Sequence, residues 1–214
     1  MDKSSLELLT PNNSVVILID HQPQMFFGIE SANRETIKNN VVGLAKAAKI
    51  FKVPTILTTV AAESFSGPLI PQLQAIYPNQ RPIDRTTMNS WEDKNFVAAV
   101  EKTKRKKLII AALWTEVCLA FPAISAIQAG YEVYAVTDAS GATTVEAHNM
   151  AIQRMIQAGV TPVTWVQVLC EFQRDWARQE TYGPVMELAQ EHAGAYGLGI
   201  FYAKSMLRNT EHAG

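Results

Sequence analysis

Three side chains able to cooperate in breaking a bond stand far apart in this chain: the carboxyl of Asp20, the guanidinium of Arg85 and the thiol of Cys118. Cys118 follows an apolar stretch, Ala111 to Trp114, by way of Thr115, Glu116 and Val117, and precedes an apolar, helix-forming run that contains Pro122. Proline lacks an N–H and is tolerated only in the first turn of a helix, so the helix must begin close to Cys118. A thiol there meets unpaired backbone N–H groups and the positive end of the helix dipole, and both lower its pKa toward a reactive thiolate. The competing reading is a buried, inert cysteine.

Asp20 ends an aliphatic run over residues 14–19. As a general base it would have a pKa raised by burial and lowered again by a neighbouring cation; the alternative is a solvated turn aspartate. Arg85 lies in residues 81–91, a polar and aromatic mixture suited to lining a pocket, where a cation could stabilise both Asp20 and a thiolate. Asn89 and Trp91 share that stretch as candidate substrate contacts. The plainer readings are a surface arginine, a helix cap and a hydrophobic anchor.

The elements that must bring these groups together follow from periodicity. Residues 14–19 form a continuous aliphatic run, as in a central parallel strand buried on both faces. Ile37, Val41, Leu44 and Ala48 recur at helical spacing between residues 33 and 51, and residues 54–59 read as a second strand. Residues 61–87 are rich in Pro, Gly, Ser and Gln and form a long excursion with one short helix near 69–76. Ser90 with Asp93 resembles a capping pair for a helix running toward Lys104, and residues 107–112 are the third strand. The pattern repeats with a helix over 119–129 closed by Gly130, a strand over 131–137, a helix over 144–158 closed by Gly159, and a strand over 161–164. Strands alternating with helices predict an α/β, three-layer, doubly wound parallel sheet, whose chemistry collects at the carboxyl ends of the strands. Helices over 168–178 and 184–192 follow. Residues 196–206 are apolar without a strand to pair with, and a subunit contact is expected there.

At 214 residues, with 48% hydrophobic and 18% charged residues and a net charge of -1, the chain fits a globular small-molecule protein rather than a disordered or nucleic-acid-binding one. The basic residues of 102–107 end a helix and read as a solvated helix end. Cys118 and Cys170 make no disulfide framework; Cys170, among Val168, Leu169 and Phe172, reads as a core filler. His21, His148, His192 and His212 show no metal-ligand spacing, and His148 reads as a structural hydrogen-bonding residue. No signal peptide or membrane span is read, so a cytoplasmic protein without nucleic-acid or membrane partners is expected.

Asp20 after one aliphatic strand, a cation in the middle excursion and Thr115-Glu116-Val117-Cys118 after another together resemble the isochorismatase-like cysteine hydrolase superfamily, over residue 14 to about residue 176. Asp20-His21-Gln22, residues 54–59 and 136–141, Cys170-Glu171 and Arg174-Asp175-Trp176 resemble its YcaC-like subgroup. The resemblance implies a flavodoxin-like fold with a catalytic triad of Asp20, Arg85 and Cys118 and a cis peptide between Leu113 and Trp114. It implies a hydrolase that cleaves a small amide or nitrile through a covalent intermediate on Cys118. Gln22, Asn89, Trp91 and Thr115 would contact substrate, and the backbone of Trp114 would hold the oxyanion. A hydrolase domain over residues 1–180, an oligomer-forming extension over 181–214, octameric assembly, and no metal or cofactor complete the expectation. Two departures matter: most of the superfamily has lysine where Arg85 stands, and the Asp-x-His metal motif of nicotinamidase relatives is missing from residues 58–64. An isochorismatase-type hydrolase of another bond, a silent scaffold and a redox-sensing thiol are the rival readings.

Overall fold

The computed structural model describes residues 7–207, so the last residues of the expected extension, His212 among them, lie outside the described residues. Six strands form one parallel sheet in the order β3-β2-β1-β4-β5-β6: β1 (Ser14–Ile19), β2 (Thr55–Val60), β3 (Ile83–Arg85), β4 (Lys107–Ala112), β5 (Glu132–Val136) and β6 (Thr161–Val163). Every residue of β1 and β4 is buried, which is why residues 15–19 and 108–112 read as unbroken apolar runs rather than as alternating ones.

The helices divide between the two faces. On one, α2 (Arg34–Ile50), α7 (Trp165–Gln173) and α8 (Gln179–His192) contribute Val41, Leu44, Phe172, Val185 and Leu188 to a core that receives Val16 and Leu18 from β1. The short helices α1 (Pro23–Phe27) and α3 (Pro71–Ile76) join that side. On the other face, α4 (Lys94–Thr103), α5 (Ala120–Gln128) and α6 (Val145–Gln157) pack Phe96, Ala123 and Met155 against Val15, Ile17 and Ile19. Successive β1 residues serve opposite cores because side chains alternate across a strand. The chain ends in α9 (Ala195–Tyr202) and a π turn, Ala203–Leu207.

The sequence-derived elements hold, with corrections. β3 is an unforeseen strand inside the long excursion: three residues beside Pro82 are too few to show alternation, and their strand character comes from pairing with β2, where Val60 faces Arg85. Asp93 caps α4 through Phe96 N–H, whereas Ser90 opens a separate 3-10 turn, Ser90–Glu92. The helix expected over 168–178 is α7, which starts earlier and ends where Arg174 turns left-handed (φ 59°). Cys170 is exposed rather than a core filler. Lys107 is no part of a solvated helix end: it is buried at the start of β4, donating to Glu132 (2.6 Å) and to Tyr134 Oη (3.1 Å). No helix of the described residues is long and apolar enough to cross a membrane.

Candidate active site

Sheet order reverses between β1 and β4: from β1 the chain winds outward to β2 and β3, and from β4 outward to β5 and β6. A crevice opens outside the carboxyl ends of the two strands that flank such a reversal. Asp20 follows β1 and the Cys118 turn follows β4, and the strands run in register there, Ile19 opposite Ala112. Asp20 leaves β1 in the left-handed region (φ 58°), a conformation that aspartate tolerates better than most residues, and its N–H donates to Thr58 O (3.0 Å).

Arg85 is on the neighbouring edge of the sheet, at the last position of β3, and its Nη2 donates to Asp20 Oδ2 at 2.7 Å with both side chains fully inaccessible to solvent. Its Nη1 donates to Thr87 O. The edge strand makes this contact possible: the expected loop arginine is a strand residue whose position is set by the ladder to β2. The Asp20 carboxyl also interacts with the Cys118 thiol. Burial, opposed by Arg85, pushes the Asp20 pKa up to about 6.

Cys118 lies in a π turn, Thr115–Leu119, that leads directly into α5, so the helical segment does begin near the thiol, with Pro122 just inside α5. π turns are uncommon and recur at functional sites. A cis peptide joins Leu113 to Trp114. The Trp114 N–H interacts with the sulfur and favours its ionised form, yet burial, and after it the Asp20 carboxylate, push the thiol well above its usual range. The expected thiolate at a helix N-terminus is therefore corrected. A buried sulfur beside a carboxylate favours its protonated form, and the carboxylate beside it here is Asp20.

The other sequence candidates divide. Gln22 is fully buried and clamps backbone: Nε2 donates to Val60 O (3.1 Å) and Gly67 O (2.5 Å), while Oε1 accepts from Val60 N–H (2.9 Å). It ties the exit of β1 to the exit of β2, so it supports the site and is not a free substrate ligand. Asn89 caps the 3-10 turn and binds Glu92 and Ser125. Trp91 packs edge-on against Tyr131, which leads into the amino end of β5, the opposite side of the sheet from Asp20. In this structure Asn89 is a cap and Trp91 a hydrophobic anchor. The buried Thr115 hydroxyl lies 2.9 Å from His148 Nδ1, engaged within the protein rather than open to substrate.

Two neighbours have no role assigned from sequence. His21 is buried with Nε2 3.1 Å from Ala139 O, and burial lowers its pKa to about 4, so it links the exits of β1 and β5 as a neutral ring. Adjacency to Asp20 and its place in the Asp20-His21-Gln22 resemblance mark it in the sequence without giving it a role. Gly28 carries no such mark: the Trp114 indole, whose Nε1 donates to Met25 O (2.8 Å), lies so close that a Cβ on Gly28 would stand 2.4 Å from Cζ2. Gly28→Ala is expected to displace the indole beside the Cys118 turn and slow covalent labelling of Cys118 by acrylamide by about tenfold, with the fold retained. Intact-mass kinetics and a thermal melt check this.

Comparison with known proteins gives the chain its family. Residues 14–167 match the family model described as the isochorismatase domain. The chain belongs to the isochorismatase family. "Probable hydrolase YcaC" of Escherichia coli (strain K12) is 44% identical over 169 residues, covering 78% of this chain and 81% of that protein. The solved structure of YcaC from Pseudomonas aeruginosa, with hexane-2,5-diol and covalent acrylamide, is 36% identical with a TM-score of 0.88, covering 93% of this chain and 98% of the other. The E. coli YcaC structure, described as an octameric hydrolase of unknown specificity, also has a TM-score of 0.88, at 40% identity over 93% of this chain and 97% of the other. The chain is thus an isochorismatase-family hydrolase of the YcaC-like subgroup with that family's α/β fold.

Proposed function

We propose that this hydrolase cleaves a small amide, or a nitrile, through a covalent intermediate on Cys118, with Asp20 as general base and Arg85 as a fixed positive charge. The observation that carries this reading is the buried carboxyl of Asp20, ion-paired to Arg85 at 2.7 Å and interacting with the Cys118 thiol at the switch point of the sheet. With an Asp20 pKa of about 6 the resting site at neutral pH holds a carboxylate beside a protonated thiol, so the thiol proton passes to Asp20 as sulfur attacks. For an amide, a C–S bond forms and the carbonyl π pair moves to oxygen, where the backbone N–H groups of Trp114 and Cys118 meet it. Collapse expels the amine, which takes the proton from Asp20 and leaves a thioester. Water then gives its proton to Asp20 and its hydroxide to the thioester, and the released thiolate recovers that proton, yielding the acid. For a nitrile, sulfur adds to the carbon while Asp20 returns the thiol proton to nitrogen, giving a thioimidate. Water deprotonated by Asp20 then adds to that carbon, ammonia leaves with the proton from Asp20, and the same thioester results.

Acrylamide held covalently by the P. aeruginosa relative supports the reading, since an electrophile of that kind is captured by a nucleophile. A redox-sensing role is disfavoured, because Cys118 is only 6% exposed and its thiol is shifted away from ionisation. Mass spectrometry of the protein incubated with small amides, nitriles and carbamates tests the proposal. An acyl or imidoyl adduct confined to Cys118, with product release, is expected; no adduct and no turnover over the whole panel would favour the silent scaffold.

The domain expected over residues 1–180 would carry this chemistry with α8 packed into its core, and the part of the expected 181–214 extension beyond α8 would form the subunit contact, in a cytoplasmic octamer like E. coli YcaC. Leu198, Phe201, Tyr202 and Met206 are half or more exposed or close to it, an apolar surface that a second copy would cover. Light scattering is expected to give a multiple of 23.6 kDa. Val185 and Leu188 of α8 belong to the main core, so removal of residues 195–214 should weaken assembly without unfolding the sheet. A dilute monomer would contradict this.

A further inference from the structure

The π turn that carries Cys118 is fastened to the segment that leads into α6. Thr115 N–H donates to Gly141 O (2.8 Å), Glu116 Oε1 accepts from Thr143 N–H (3.1 Å) and Thr143 Oγ1 (2.7 Å), and Thr115 Oγ1 lies 2.9 Å from His148 Nδ1. The first two links come from residues just before α6. The third comes from a side chain within it, reaching across to a hydroxyl that is fully buried.

The proton arrangement of that third link follows from burial. Among the described residues His148 Nδ1 is the hydrogen-bond partner of the Thr115 hydroxyl, and burial favours the neutral imidazole although the Glu116 charge opposes it. If Nδ1 carried the proton, the Thr115 hydroxyl hydrogen would be left without an acceptor in a dry environment, which is unfavourable. So Thr115 donates and Nδ1 accepts. A hydrogen bond of defined polarity therefore fixes the first residue of the turn, three positions before the sulfur.

We propose that His148 is a positioning residue for the nucleophile, acting through the Thr115 hydroxyl to hold the π turn where Cys118 meets Asp20. This rests on Cys118 being the reactive group but not on which substrate it attacks. The role is separable from catalysis proper, because His148 touches neither the thiol nor the carboxyl and exchanges no proton with them. What it contributes is register: with the side-chain tie gone, the first residue of the turn is held by its N–H to Gly141 O alone, and the sulfur is freer to drift from Asp20.

The test reads the thiol directly, with no substrate. Second-order rates of acrylamide addition to Cys118 are measured by intact mass in wild type, His148→Ala, His148→Asn, Thr115→Val and the Ala/Val double variant, with a thermal melt of each. His148→Ala and Thr115→Val should each slow labelling by about tenfold, with melting temperatures close to wild type. Asparagine can place an acceptor oxygen near the position of Nδ1, so His148→Asn should stay within about threefold of wild type. The double variant should be no slower than either single one, because both remove the same link. Wild-type labelling in His148→Ala, an Asn variant no faster than the Ala variant, or single effects that multiply would each overturn the proposal. Wild-type protein that takes label at Cys118 only after unfolding would remove the nucleophile itself, and the positioning role with it. Labelling that follows the expected pattern while every amide and nitrile fails as substrate would leave His148 in place and overturn only the amide or nitrile reading.

Discussion

Cys118→Ser is expected to lower turnover at least about a thousandfold while leaving the thermal melt nearly unchanged. The two side chains are close in size, so the packing of Cys118 with Leu119 and Ala123 in the second core survives the exchange. The chemistry does not. Asp20, with a pKa of about 6, can draw the proton from a thiol as sulfur attacks, because sulfur is polarisable and its anion is comparatively stable. An alcohol is several orders of magnitude less acidic than a thiol, and the same carboxylate is too weak a base for it. The measurement is turnover of whichever amide or nitrile gives an adduct in wild type, alongside adduct mass in the variant. Activity above a few per cent of wild type would remove Cys118 from the nucleophile's role.

The second large effect is expected from Arg85→Ala, read as a pH profile. With Asp20 as the proposed general base, kcat/KM for wild type should fall as pH drops through about 6, where that carboxylate takes up its proton. The sign of the shift on mutation follows from what Arg85 does to Asp20. Its positive charge lowers the carboxyl pKa against the larger effect of burial. Without the cation the pKa rises, the acid limb moves to higher pH, and at neutral pH more of the enzyme holds a protonated Asp20 that cannot act as a base; a loss of about a hundredfold is expected at pH 7. Arg85→Lys keeps the charge, so its acid limb should stay near that of wild type, while loss of the planar fork that joins Asp20 Oδ2 to Thr87 O costs about tenfold in rate. Superimposable acid limbs in all three proteins would place Arg85 outside the chemistry. The buried pair is no argument for stability in itself, since desolvating two charges offsets much of their attraction.

Much of this protein was legible in its residues. β1 and β4 announce themselves because a strand buried on both faces is apolar along most of its length, and residues 14–19 and 107–112 carry that pattern with two polar exceptions at their first positions, Ser14 and Lys107. The helices show in the spacing of Ile37, Val41 and Leu44 and in Gly130 and Gly159, both at positive φ just beyond α5 and α6. Alternation of strands and helices implies a parallel sheet, and a parallel sheet gathers the residues after its strands on one edge, so Asp20 and Cys118 could be paired from the chain alone.

Tertiary structure decided the rest, and for stated physical reasons. β3 has too few residues to show a period and exists because β2 offers it a ladder, so Arg85 could be suspected as a cation but not located as a buried partner of Asp20. Whether an amide side chain faces substrate or backbone depends on which carbonyls come within reach, and the fold brings Val60 and Gly67 to Gln22 and leaves Asn89 as a cap. The ionisation of Cys118 was misjudged from sequence because proximity to a helix start is local information, whereas burial and the field of a carboxylate some hundred residues away are not. Linear order records which groups a chain possesses; how much water and which charges surround each of them is settled only when distant segments pack together.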